Sequence, residues 1–422
     1  MVTIAATTPR RSDRRVAGML RVPNLRLHLA GQVVSQAGTW LQLVALGWLA
    51  LELTGSGTAL GWVAAATFGP LLLLGPWAGA LADRADKHRL LALTQIAAAV
   101  PAAVLGVLAL TSTVTTPLLF GAALACGLVY AVENPVRHAF VAELVEHRLI
   151  PAAVSLTSAV GAAGRVLGPL TAGGVLVSTS IGWCFLANAA SHLLALAGLL
   201  AMRRAELHAA EPSGAGRGQV AEGLRYAWRV PELRAALLLT AVVATFGFNH
   251  QVLVPLLAHR TFGGGTGTYI LLYSAMSVGS VLGAVLAARR SRIDVRFLGH
   301  ATVSLGVATG LVALAPTLPL VVAAGVATGG AGLLFVAAAT ALLQQRSAPA
   351  LRGRVMALAA MVIVGGLPVG GPLVGWLAEL SGPRGALAFS AATAVAAGVF
   401  VLTRLIHVRE ECHDQPRHAL VR

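Results

Sequence analysis

The amino-acid sequence predicts an all-α integral membrane protein with twelve transmembrane helices in two pseudo-symmetric six-helix bundles. Composition is the first of three observations behind this: 57% of the residues are apolar and only 11% charged, with a mean hydropathy of +0.78. Soluble domains carry about 25% charged residues. The second is that the apolar residues gather into twelve runs, each close to the roughly 20 residues that a bilayer-crossing helix needs. The third is that Lys and Arg fall almost entirely in alternate loops, as the positive-inside rule demands.

The N-terminal segment, residues 1–26, holds Arg10, Arg11, Arg14, Arg15, Arg21 and Arg26 and no apolar core. A cleavable signal peptide needs such a core, so none is expected; the arginines instead hold this end in the cytoplasm. A first bundle then spans 27–202, with apolar runs at 27–51, 60–81, 90–111, 117–136, 153–177 and 183–202. A second spans 235–406, with runs at 235–258, 268–288, 297–315, 318–343, 355–378 and 385–406, and a cytoplasmic tail, 407–422, follows. The cytoplasmic linker 203–234 is the longest loop. Its stretch 209–218 is small, polar and rich in Gly, Pro and Ser, the composition of a flexible linker. The stretch 219–234 differs, with Val220, Leu224, Trp228 and Leu233 spaced among Glu222, Arg225 and Arg229. That pattern predicts a short interfacial helix. Pro231 interrupts it, and an unstructured basic linker is the alternative.

Charge tests the whole map at once. Of the 31 Lys and Arg residues, 28 fall on the side that carries both termini, Arg260 and Arg384 fall on the other, and Arg165 is left inside the fifth run. One missed or extra crossing would scramble that alternation downstream. The same bias explains the net charge of +15 as membrane orientation, with no nucleic-acid partner needed. Cys126 and Cys184 lie in apolar runs and Cys412 in the tail, which implies no disulfide framework.

Between the second and third runs lies Gly79-Ala80-Leu81-Ala82-Asp83-Arg84-Ala85-Asp86-Lys87-His88-Arg89, with five charged side chains in a short gap. It resembles the loop between the second and third helices of the major facilitator superfamily, whose motif reads Gly-x-Leu-x-Asp-Arg-x-Gly-Arg-Arg/Lys. Gly79, Leu81, Asp83 and Arg84 match, while Asp86 stands in place of Gly and Lys87 in place of Arg. Four further stretches resemble the branch that contains the enterobactin exporter and related drug and metabolite effluxers. They are Leu51-Glu52-Leu53-Thr54-Gly55-Ser56, Asn134-Pro135-x-Arg137, Arg165-x-x-Gly168-Pro169 and Gly353-Arg354-Val355-Met356. The likeness covers residues 24–380. It implies a monomeric secondary transporter in a bacterial inner membrane, using protons to drive efflux of a small metabolite, siderophore or drug, with no cofactor or metal. Antiporting members carry Gly-Pro-x-x-Gly-Gly in the fifth helix; here Ala172 replaces the first glycine of the final pair, before Gly173.

The two halves also repeat. Gly79 is echoed 204 positions later by Gly283, and Gly168-Pro169 is echoed 203 positions later by Gly371-Pro372. A duplicated six-helix unit places a substrate site at the bilayer midplane between the halves. In the second copy Ala287 stands opposite Asp83.

Candidate site residues follow from cost. Arg165 lies about 20 Å along a helix that starts near Ala152, too deep to snorkel to the surface. An intramembrane charge faces a cavity, a substrate or a counter-ion, or else forms a structural helix-to-helix pair. Glu133 is the acidic residue inside the fourth run and a candidate proton carrier, since burial raises a carboxyl pKa. Helix rise puts it within about 10 Å of the cytoplasmic surface, so it serves either as partner to Arg165 or as a gate anchored to Arg137. Gln32, Ser35, Gln36, Thr39 and Trp40 form one stripe of the first run, lining a cavity or gluing helices together. Asn249, His250 and Gln251 cluster in the seventh run, where three polar groups cannot all face lipid. His250 either titrates or is a hydrogen-bonded structural group, as are Asn188 and His192 in the sixth run.

Asp83 is expected to accept hydrogen bonds at a neighbouring helix N-terminus. The family resemblance makes that neighbour the eleventh helix near Arg354, so that Gly79, Asp83, Arg84 and Arg354 form a cytoplasmic latch; the alternative is a solvated loop charge. Gly168, Pro169, Gly173, Gly371 and Pro372 are expected to permit close helix packing and bending.

An enzyme is excluded by the lack of His-Glu-x-x-His, Gly-x-Ser-x-Gly and phosphate-cradling patterns. A scaffold or receptor would need a large recognition domain, and no outer loop is long. The remaining rival is an importer of a small polar or anionic solute with the same fold.

Overall fold

The computed structural model describes residues 21–178, 180–208, 219–290, 293–349 and 351–413, so the segment before 21, the stretch 209–218 and the tail beyond 413 lie outside the described residues. Helices α1 (Pro23–Thr54), α2 (Gly57–Arg84), α3 (Lys87–Leu110), α4 (Thr116–Leu144), α5 (Ile150–Ser178) and α6 (Ile181–Leu200) follow the first six apolar runs. A short helix α7 (Gln219–Arg229) precedes α8 (Pro231–Thr261), α9 (Thr266–Ala288), α10 (Val295–Leu314), α11 (Leu318–Arg346) and α12 (Arg352–His413). Among the described residues ten helices are long and apolar enough to cross a membrane. The last of these contains two expected runs, because its backbone breaks at Gly382 with φ 75° and ψ 167°, a conformation that glycine tolerates. Helix α5, 29 residues long, covers the fifth run.

Local chemistry sets the helix starts. The Ser56, Asp86 and Asp294 side chains accept from the amides of Ala59, Arg89 and Phe297, capping α2, α3 and α10. Proline opens α1, α4, α8 and α11, where its missing N–H costs nothing. Thus Pro231 starts a helix after α7, and 219–229 is the helical alternative rather than an unstructured linker.

One expected boundary moves. The fourth apolar run ends at 136, but α4 continues to Leu144 and carries Arg137 inside it. The charge does not end the helix because it is paired within it, as described below. Glu133 consequently lies eleven residues from the end of α4, about 16 Å along the helix by its rise.

Helix packing repeats between the halves. In the first, α2 packs on α4 and α3 on α6; in the second, α9 packs on α11 and α10 on the part of α12 after Gly382. Contacts across the halves are likewise paired, α2 with the first part of α12 and α5 with α9. Small residues make these approaches possible. A Cβ at Gly127 would sit 2.5 Å from the Ala66 carbonyl oxygen, and one at Gly329 would sit 1.9 Å from that of Met276.

The basic loops gather at one end of the molecule. There Asn24 and Arg203 exchange hydrogen bonds of 3.0 Å, and Lys87 pairs with Glu143 at 2.8 Å. At the far end the two halves are zipped together. Gly61 lies against Gly371 and Gly57 against Gly375, so closely that a Cβ at Gly61 would be 2.3 Å from the Gly371 carbonyl oxygen.

Candidate functional site

Three groups of side chains define the region between and beside the halves. The first is a polar cluster inside the first half. Glu133 and Arg137, one helical turn apart on α4, form an ion pair of 3.2 Å with both side chains only 8% exposed. Arg137 Nη2 also donates to Asn134 Oδ1 at 3.1 Å, and the Gln36 amide oxygen, turned toward the guanidinium, accepts from Nη1 and Nη2 at 3.2 Å each. Nearby, His192 Nδ1 on α6 lies 2.8 Å from Gln95 Oε1 on α3 and 3.4 Å from Ser35 Oγ on α1. Asn188 donates to Gln42 at 2.7 Å, and Gln42 donates to the Cys126 sulfur at 3.3 Å.

Glu133 and Arg137 border a cavity of ≈ 30 Å³, shared with His28, Gln32, Ser35 and Gln95. That is room for one or two waters. His28 Nε2, Gln32 Oε1 and Arg137 Nε are buried without a protein partner among the described residues. Unpaired polar atoms around a water-sized space make a place where protons can be exchanged.

The α1 stripe expected to line one cavity is divided between two. Gln32 and Ser35 face the cavity just described, whereas Gln36, Thr39 and Trp40 line a second of ≈ 60 Å³ with Gln42, Thr67 and Tyr130. Gln36 therefore links the Arg137 guanidinium to that second space. The backbone of α5 runs alongside, since a Cβ at Gly164 would be 2.6 Å from Gln36 Cβ and one at Gly168 would be 2.3 Å from Trp40 Cβ. The Arg165 and Pro169 side chains lie outside the described residues, and α5 runs helically through both and through Gly173.

The second group is a break in α8. Two π-helical turns, Val243–Gly247 and Leu257–Thr261, flank a non-helical Phe248–Asn249 step. Asn249 Nδ2 donates to the Thr245 carbonyl at 2.6 Å, and Gly370 of α12 packs so tightly there that a Cβ would lie 1.7 Å from that same oxygen. His250 faces an apolar pocket with Leu253, Leu272, Thr309 and Thr328, beside the Phe248 ring at 6.3 Å. Gln251 turns instead toward the first half, lining a space with Gly47, Leu60 and Thr67. The polar triplet was a visible signal in the sequence; the helix break beneath it was not.

The third group closes the far end. Trp48 of α1 stacks on Tyr269 of α9, with centroids 5.4 Å apart and planes at 18°, and the Tyr269 hydroxyl donates to the Val44 carbonyl at 3.0 Å. Beyond this, Glu379 accepts from the Gly57 amide and from Arg260 at 2.9 Å, while Arg260 donates to the Gly55 carbonyl at 2.5 Å. Burial alone would raise the Glu379 pKa, but the Gly57 amide and the Arg260 guanidinium outweigh it and hold the carboxyl below its ordinary 4.5. In the sequence Arg260 stands out as one of two basic residues on the side depleted of them, but nothing there points to Glu379 as its partner.

The expected latch residues lie at the basic end. A Cβ at Gly79 would meet nothing within 4 Å, and Arg84 is exposed. Arg354 forms an ion pair with Glu222 of α7, and the Asp83 side chain lies outside the described residues.

Comparison with known proteins decides the family. The model of the transmembrane secretion effector family, a major facilitator family, matches residues 19–420. The chain belongs to that family. This major facilitator protein is 29% identical over 378 residues to the multidrug efflux pump Tap of Mycolicibacterium fortuitum, covering 85% of the chain and 90% of the pump. It is 27% identical over 251 residues to the staphyloferrin A transporter of Staphylococcus aureus (strain NCTC 8325 / PS 47), covering 59% of the chain and 63% of that relative. Among solved structures, the nucleoside transporter NupG (D323A mutant) superposes with a TM-score of 0.72 at 13% identity, over 90% of this chain and 99% of NupG. A bacterial homologue of the human lysosomal transporter Spinster gives 0.68 at 17%, over 90% and 95%. The major facilitator fold and membership of a transporter family, not an enzyme family, are thereby established, and the sequence relatives include a multidrug efflux pump.

Proposed function

We propose that this major facilitator transporter exports a small metabolite, siderophore or drug across the bacterial inner membrane, driven by protons through alternating access. The chain crosses the membrane twelve times as a monomer with both ends in the cytoplasm; its bundles are 27–202 and 235–406, joined by the linker 203–234. The zipped far end is the outer face, so this state opens toward the cytoplasm. The multidrug pump and the siderophore transporter among its relatives support the choice of cargo class.

The observation that carries the coupling is the buried Glu133–Arg137–Gln36 cluster beside a water-sized cavity. An ionised Glu133 holds Arg137. Protonation removes the negative charge and frees the guanidinium toward the cavity lined by Gln36 and Trp40. The carboxylate re-forms the pair when the proton leaves on the other side, so proton and cargo alternate at one cluster. Gly79, Asp83, Arg84 and Arg354 latch the cytoplasmic side in the opposite state, when Arg354 leaves Glu222.

The test is transport in oriented vesicles loaded with staphyloferrin A or the fluorescent drug ethidium, with and without a pH gradient. The wild type should move one of these against its gradient only when the pH gradient is imposed. Glu133→Gln should lose that drive while keeping gradient-free exchange; a Glu133→Gln protein that still concentrates cargo under a pH gradient sinks the assignment.

A further inference from the structure

Helix α7 has two unlike faces. One packs on the body of the protein: Ala227 is fully buried, a Cβ at Gly223 would sit 2.9 Å from Arg354 Cβ, Glu222 pairs with Arg354, and the Tyr226 hydroxyl accepts from the Ala348 amide at 3.0 Å. The other carries Leu224 and Trp228, 45% and 49% exposed, with Arg225 and Arg229 exposed beside them along one shallow groove. Among the described residues neither of these arginines has an ion-pair partner.

Position narrows what covers that face. Val230 alone separates α7 from Pro231, where the apolar helix α8 begins, so α7 is held at the height where a bilayer has its headgroups. An aliphatic and an indole side chain flanked by two unpaired guanidinium groups fit a sheet of phosphates over an acyl boundary. Arg pairs with phosphate through its planar fork, and the indole settles at the interface.

We propose that α7 is an anchor for anionic phospholipid, and that the bilayer it grips holds Glu222 against Arg354. Lipid composition then reaches the cytoplasmic latch directly: while α7 is seated, Arg354 is occupied.

Hydrogen exchange on the full-length protein in nanodiscs tests this. With phosphatidylglycerol added to phosphatidylcholine, the amides of 222–229 should exchange about thirtyfold more slowly, the factor supplied by two arginines near an anionic surface. The double variant R225Q/R229Q should erase that difference while amides within α4 exchange as in the wild type, which separates loss of the anchor from loss of the fold. Equal exchange of 222–229 in the two discs overturns the proposal, as does protection that survives in R225Q/R229Q. So does equal protection from free glycerol 3-phosphate in phosphatidylcholine discs, which would make the site one for soluble phosphates.

Discussion

Glu133 and Arg137 were drawn together by the helix itself, since residues four apart on α4 share a face. That spacing was legible in the sequence. What was not legible is that Gln36, a hundred residues upstream on another helix, completes the cluster, because a stripe of polar groups on α1 does not say which neighbour it meets. The i,i+4 pair also predicts an ordering of stabilities. Breaking a buried pair by removing one partner strands a charge and costs about 3–5 kcal/mol, whereas removing both leaves no stranded charge. Arg137→Gln should therefore melt well below the wild type in detergent, and Glu133→Gln/Arg137→Gln should melt above Arg137→Gln alone. A double variant less stable than Arg137→Gln would mean that the pair is not what satisfies Glu133.

At the scale of helices, the apolar runs were visible because a bilayer demands them, and most boundaries fall within a few residues of the expected ones. The exception, the end of α4, shows why: a paired charge inside a helix looks like a loop charge until its partner is seen. The π-helical turns of α8 had no sequence signature beyond the polar triplet, since backbone hydrogen-bond register depends on the packing of Gly370 against Thr245. Glycines at crossings carry a sharper prediction. At Gly61 a Cβ would lie 2.3 Å from the Gly371 carbonyl oxygen, a backbone atom that cannot rotate away. Gly61→Leu should push α2 from α12 at a cost of about 1–3 kcal/mol to the closed far end. Spin labels at Thr113→Cys and Thr317→Cys, exposed in corresponding loops 204 residues apart, should report longer separations in this variant; an unchanged distribution would mean that the helices tolerate the side chain.

Over the whole molecule, the charge alternation in the sequence foretold the crossings but not the state, because the order of crossings is the same whichever end is open. The state depends on contacts between halves, Trp48 on Tyr269 and the Glu379–Arg260 pair on the Gly57 amide and the Gly55 carbonyl, whose partners are more than a hundred residues apart. These two closures differ in strength. Tyr269 is fully buried with its hydroxyl bonded, and truncating such an aromatic costs about 3–5 kcal/mol, while the hydrogen bond that partly exposed Arg260 gives the Gly55 carbonyl across the halves is worth about 0.5–1.5 kcal/mol. Tyr269→Ala should thus open the far end much further than Arg260→Gln by the same spin-label distances. Proton sensing can also be located. A carboxyl whose pKa is depressed in the closed state supports closure above its ordinary 4.5 and loses that support only as pH falls through the lowered value. From pH 8 to 5.5 the far-end distances should then stay constant in Glu133→Gln, because Glu379 remains ionised throughout. If they lengthen over that interval in Glu133→Gln, a group other than Glu133 senses the proton and the outer closure itself becomes part of the coupling.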